Sequence, residues 1–181
     1  MTDSSSVKGA SSGSPIRFHT FDVSNQVFLE RKHTIGIVNL MPIAPLHVLL
    51  IPRNPHHRLV EIPKDELADL FDAVQDVSQV VQRLTNSPAC TVAIQDGKES
   101  GQSVPHLHVH VIPRKDGDFT PNDIIYSHLE NFGLKLHKDM HKNENGSKPD
   151  QGLAPDPDQE RKPRSAKEMS NEANWIRQNF K

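Results

Sequence analysis

Three imidazoles recur at every second position in Pro105-His106-Leu107-His108-Val109-His110-Val111-Ile112-Pro113. A strand repeats every two residues, so the spacing predicts His106, His108 and His110 on one face and Leu107, Val109 and Val111 on the other. Imidazole titrates near neutrality and can bind a metal, move a proton or attack an electrophile. Three readings of the pattern compete. In the first, the histidines are the solvated face of an ordinary strand. In the second they bind zinc, whose catalytic sites usually take three protein ligands and keep a fourth position open. The run offers no Asp, Glu or Cys partner, and the single cysteine, Cys90, falls in another predicted strand. No metal ligand is assigned. In the third, one histidine is a nucleophile and its neighbours orient and neutralise the group it attacks. The flanking residues favour this one: Gln95-Asp96-Gly97 and Gly101-Gln102-Ser103-Val104-Pro105 lead into the histidines, and Pro113-Arg114-Lys115 closes the run. Backbone N–H groups, an amide and a hydroxyl beside imidazoles suit phosphate oxygens.

The elements that must hold these residues follow from apolar spacing. Val27-Phe28-Leu29, Ile35-Gly36-Ile37-Val38, Val48-Leu49-Leu50-Ile51 and Thr91-Val92-Ala93-Ile94 read as strands. Met41-Pro42-Ile43-Ala44-Pro45 must be a turn, because proline cannot sit inside a central ladder. A long helix follows Ile62, with Pro63 suited to its first turn. Its apolar face is Leu67, Leu70, Phe71, Val74, Val77, Val81 and Leu84, at three- and four-residue spacing. A second helix opens at Ser165 with Glu168 as its capping partner and offers Met169, Ala173, Trp175, Ile176 and Phe180 for docking. The expected class is α+β: a mainly antiparallel sheet with one long helix plus a C-terminal helix. Residues 1–15 read as a polar tail, 16–136 as the catalytic domain, 137–164 as a linker and 165–181 as the returning helix. The linker has no Val, Ile or aromatic residue between His137 and Arg164, too little apolar surface to offset ordering.

A chain of 181 residues allows one domain of ordinary size. The net charge of −2 supplies no global field for nucleic acid or a membrane, so phosphate binding must be local. One cysteine excludes an intramolecular disulfide and fits a reducing compartment. The start lacks the apolar core of a signal peptide, and no stretch is long enough to span a bilayer. The expectation is a cytoplasmic protein, with the nucleus also open.

His-x-His-x-His followed by two apolar residues resembles the histidine triad (HIT) superfamily of nucleotide hydrolases and transferases. The fuller string, IQDG and then GQSVPHLHVHVIPRKDGDF with Asn122 to Tyr126 beyond it, is similar to the Fhit branch of dinucleoside polyphosphate hydrolases. The likeness runs from about Phe18 to Tyr126 and resumes over the last helix. It implies a HIT-like fold and cleavage of diadenosine triphosphate to AMP and ADP. His108 would be the nucleophile through a nucleotidyl adduct, with its other nitrogen held by a backbone carbonyl. His106 and His110 would stabilise the phosphate oxygens and help the leaving group, and His47 would support the triad from a neighbouring strand. Asn39 would face the ribose. Gln102 and Ser103 would contact the phosphates, with Gln102 near the bridging or leaving oxygens, and Gln95 would contact phosphate or ribose. Phe18, Ile37 and Leu49 would line the base pocket. Arg114 and Lys115 are solvated charges or, in the alternative, receive distal phosphates. Tyr126 is read as packing, and His19, His33, His56, His57, His128, His137 and His141 as surface residues. Mg²⁺ or Mn²⁺ would travel with the polyphosphate, and the protein would be a homodimer. The chain departs from the family at Leu46, where the resemblance has glycine; a positive φ there would strain the turn. Two other readings stay open: a Hint-type nucleoside phosphoramidase, and a nucleotide-binding signalling module whose substrate complex is the output.

Overall fold

The computed structural model describes residues 14–129 and 163–180. The tail to residue 13, most of the linker with His137 and His141, and Lys181 lie outside the described residues. A short hairpin, β1 (Arg17–Phe18) and β2 (Phe21–Asp22), precedes β3 (Val27–Glu30), β4 (Thr34–Val38) and β5 (Val48–Pro52). Then come α1 (Lys64–Thr85), β6 (Ala89–Ile94), β7 (Val109–Arg114), a helix α2 described over residues 124–129, and α3 (Ala166–Gln178). β3 to β7 form one antiparallel sheet in the order β3-β4-β5-β7-β6. The expected α+β class, with a mainly antiparallel sheet, holds.

β5 shows why the sheet can be covered on both sides. Val48 and Leu50 pack under α1 and α3 with Leu107, Val109, Val111, Leu70, Val77, Met169 and Ile176. Leu49 and Ile51 point to the other face, where Phe18, Val23, Ile35, Ile37 and Val104 gather. The period of two thus feeds two cores. Removing each large side chain from water contributes roughly 2 kcal/mol.

Four details differ from the sequence reading. The ladder of β7 begins at Val109, so His106 and His108 lie in the extended segment just before it. Pro113 sits inside β7, which is possible because β5 pairs only as far as Val111; beyond it β7 has β6 alone as neighbour. Phe71 and Trp175, expected in the cores, are both 44 % exposed. On α1 the apolar positions exceed what the sheet can cover, and Ala73 and Val80 take the buried places instead. The β1–β2 hairpin, with only two residues per strand, had no readable period.

Candidate active site

His108 sits one residue ahead of β7, fully covered, with its Nδ1–H donating to the carbonyl of His106 at 2.9 Å. That bond assigns the tautomer: Nε2 carries the lone pair, and it meets no hydrogen-bond partner among the described residues. His106 is bound differently. Its Nε2–H donates to the Pro52 carbonyl at 2.8 Å, and its Nδ1 accepts the backbone N–H of His19 at 3.1 Å. Both nitrogens are spent on backbone. His106 therefore reaches phosphate oxygens only by giving up a bond, and it acts here by holding the peptide to which His108 is tied.

His110 lies within β7, on the face opposite Val109 and Val111, paired across the sheet with Leu49 on one side and Ala93 on the other. Its Nδ1 is 2.9 Å from Nε2 of His47. The backbone N–H of Ile43 donates to Nδ1 of His47 at 3.1 Å, so the proton of His47 belongs on Nε2 and is donated to His110. His110 then carries its own proton on Nε2. The imidazoles of His108 and His110 are 5.0 Å apart between centroids, and Phe18 stands 5.4 Å from both His106 and His108.

Burial removes the solvation that a charged imidazole needs, and it dominates all three histidines. It pushes His106 down from 6.5 to about 4, with the neighbouring His108 adding to the effect and the Pro52 carbonyl opposing it. Burial likewise lowers His108, against the opposing pull of the His106 carbonyl. His110 falls well below 6.5 through burial and then the nearness of His108 and His47. The triad is neutral at pH 7.

Asn39 is 1 % exposed and lies against His47, its Nδ2 at 3.3 Å from Nε2 and 3.5 Å from Nδ1, while its Oδ1 accepts from Met41 N–H at 3.0 Å. The structure thus places this amide directly under His47. The register Ile94↔Val109 puts Gln95, the next residue along, level with His108, and alternation puts it on the face of Ala93 and His110. Its Nε2 donates to Leu129 O at 3.4 Å and its Oε1 has no partner among the described residues; the buried Ser103 Oγ is in the same condition. Buried polar atoms are normally satisfied, so both are suited to a ligand. Gln102 instead closes its own loop: Oε1 accepts from Gly97 N–H and Nε2 donates to His57 O, each at 2.9 Å.

Phe18, Ile37 and Leu49 do share one apolar cluster beside the triad. A cleft of about 380 Å³ opens next to His106, lined by Arg17, His19, Ile35, Arg53 and Pro55 among others. Arg114 is not available to distal phosphates. Its guanidinium donates to Asp118, Asn122 and Thr91 and covers the Phe119 ring at 4.9 Å. Tyr126 is 55 % exposed rather than packed. His33 and His56 are half-buried beside Glu66, with His56 Nε2 at 3.0 Å from its carboxylate, and His19 is half-buried against His106. The residues that spacing could not reveal are those acting through backbone atoms: His19, Pro52 and Ile43. Leu46, just before His47, has φ of 57°, the condition under which this departure from glycine would strain the turn.

The sequence profile of the HIT domain matches residues 20–117. The chain is 42 % identical over 169 residues to an asymmetrical bis(5'-nucleosyl)-tetraphosphatase of Schizosaccharomyces pombe, spanning 90 % of this chain and 93 % of that one. It is 36 % identical to a bifunctional bis(5'-adenosyl)-triphosphatase/adenylylsulfatase of Arabidopsis thaliana, over 86 % of this chain and 78 % of that one. Among solved structures, a Plasmodium falciparum diadenosine triphosphate hydrolase superposes with a TM-score of 0.66 at 25 % identity, covering 95 % of this chain and 87 % of that one. The Caenorhabditis elegans NitFhit protein superposes with a TM-score of 0.67 at 27 % identity, covering 94 % of this chain but 31 % of that larger one.

Proposed function

This chain belongs to the HIT domain family, and from its site we propose that it hydrolyses dinucleoside polyphosphates, diadenosine triphosphate among them, to AMP and the remaining nucleotide. One observation carries the reading. His108 is neutral, and its tautomer is set by the His106 carbonyl so that Nε2 holds an unengaged lone pair.

The reaction divides into two displacements. In the first, the Nε2 lone pair forms a bond to the α-phosphorus while the bond from that phosphorus to the bridging oxygen breaks. The leaving ADP departs as a phosphate anion and needs no proton. His108 keeps its Nδ1–H and becomes a cationic nucleotidyl-imidazole, a good leaving group. His110, protonated on Nε2 through its bond to His47, donates to a non-bridging oxygen as charge builds. In the second, water attacks the same phosphorus, the N–P bond breaks and its electron pair returns to Nε2, and the water's proton goes to solvent. The acceptor Oε1 of Gln95 is suited to hold that water, and Ser103 Oγ to donate to the phosphate chain. Mg²⁺ or Mn²⁺ would accompany the polyphosphate as part of the substrate.

A second reading of chain length has its own support. The Schizosaccharomyces pombe relative is named for the tetraphosphate, and the same α-attack on four phosphates would release AMP and ATP. The other expectations are a homodimer, for which the half-exposed edge strand β6 offers a pairing edge, and a cytoplasmic location with the nucleus also open, for which the single cysteine supports a reducing compartment. Among the described residues no helix is long and apolar enough to cross a membrane.

Hydrolysis of the tri- and tetraphosphate in ¹⁸O-water, with rapid alkaline quench, tests this. Label is expected in AMP and not in the partner nucleotide, with AMP mass on the His108 peptide. His108→Asn should bind substrate yet lose about 10⁴-fold or more in turnover. Turnover of an adenosine phosphoramidate alone would move the chain to the Hint type. Binding without turnover of either would favour a signalling module.

A further inference from the structure

Arg164 stands directly before Ser165, the cap of α3, and its bonds lead toward the triad histidines. Its backbone N–H donates to the carbonyl of Leu40 at 3.0 Å. In the side chain, Nε donates to the carbonyl of Asn39 at 3.1 Å, and Nη2 donates to the same oxygen. The rest of the fork meets Glu172, with Nη1 to Oε2 at 2.6 Å and Nη2 to Oε1 at 3.0 Å. The two side chains are only 17 % and 21 % exposed, so solvent screens this pair less than a surface one. Asn39 is the residue whose amide lies against His47, and the Met41 N–H that its Oδ1 holds leads on to Ile43, whose N–H assigns the His47 proton. Contact thus runs from α3 through Glu172, Arg164, Asn39 and His47 to His110.

We propose that Arg164, held by Glu172, is a positioning residue for the His47–His110 pair, fixing the Asn39 peptide from the C-terminal helix so that His47 keeps the tautomer that leaves His110 a donor. The proposal rests on the hydrolase reading above. It asks for a planar, two-sided fork, since the guanidinium grips a carbonyl on one side and a carboxylate on the other. A lysine ammonium supplies one point of charge and cannot reproduce both.

The test uses Arg164→Ala, Arg164→Lys and Glu172→Gln in the full chain. The readouts are steady-state kinetics on diadenosine triphosphate, thermal unfolding, and ¹⁵N-imidazole NMR of His47 and His110. Arg164→Ala is expected to lower kcat by about 10- to 100-fold, with KM near that of the unmodified chain. The two nitrogen signals of His47 should move toward each other as its tautomers mix. Arg164→Lys should resemble Arg164→Ala more than the unmodified chain, and Glu172→Gln should fall between. Unchanged kcat and unchanged His47 signals in folded Arg164→Ala would overturn the proposal. So would a fall in activity that merely tracks loss of folded protein while the His47 signals stay in place. If the unmodified chain cleaves no dinucleoside polyphosphate, the hydrolase reading fails alone, and the nitrogen signals of His47 still decide the clamp.

Discussion

Leu46 holds two conflicting demands in one residue. Its side chain is 6 % exposed and belongs to the core under α1, while its backbone takes φ of 57°, a region that costs an L-residue roughly 1 kcal/mol or more. Truncation to alanine loses the burial and keeps the strain; truncation to glycine loses the burial and releases it. Leu46→Ala should therefore be the worse of the two by about 1 kcal/mol in urea unfolding, the reverse of the usual order of these residues. Glycine equal to or below alanine would show that the turn carries no strain. At this scale the sequence was legible where partners are near in the chain. The tie between His108 and the carbonyl of His106 spans two residues, and a carbonyl partner for His108 was expected. It was not legible where partners are remote. His106 meets backbone groups 87 and 54 residues away, one of them presented by His19 at φ of 54°. No spacing rule reports those two backbone bonds of His106.

Among the elements, β3 and β4 depend on one glycine. Their register shifts between Val27 and Leu29, and the Phe28 ring turns in over Gly36. A Cβ at Gly36 would stand 2.8 Å from that ring and 2.9 Å from Leu29 Cβ, too close for either to stay in place. Gly36→Ala should thus destabilise by about 1–3 kcal/mol in chemical unfolding, as overpacking does. It should also unseat Phe180, whose ring stacks on Phe28 at 6.0 Å. A neutral result would mean that the strand slides to make room. The strands and both long helices were legible because each carries a clear period or cap. What period cannot settle is how much of an apolar stripe finds a partner. Phe71 and Trp175 fit their helices by spacing and still face outward, while Ala73 and Ala173 are among the residues buried on those helices.

For the molecule as a whole, three buried neutral imidazoles make stability depend on pH. Unfolded, His106 takes up its proton near 6.5; folded, it does so only near 4. Between these values the unfolded chain binds more protons, so stability is fully present above 6.5, falls as pH drops toward 4, and levels off below. The loss from His106 alone is on the order of 3 kcal/mol, and the depressed His108 and His110 act in the same direction. Urea midpoints at pH 7.5 and pH 5 should show it, and His106→Gln should flatten part of the difference; an unchanged slope would mean that the imidazole is hydrated. The same arrangement bears on transplanting the site. Moved to a foreign sheet, the stretch from His106 to His110 would bring along the carbonyl that prepares His108. The other two histidines would arrive without their tutors, since those are supplied by His19 and Pro52 for one and by His47 for the other. A designer who grafts the three letters alone inherits a nucleophile and two strangers.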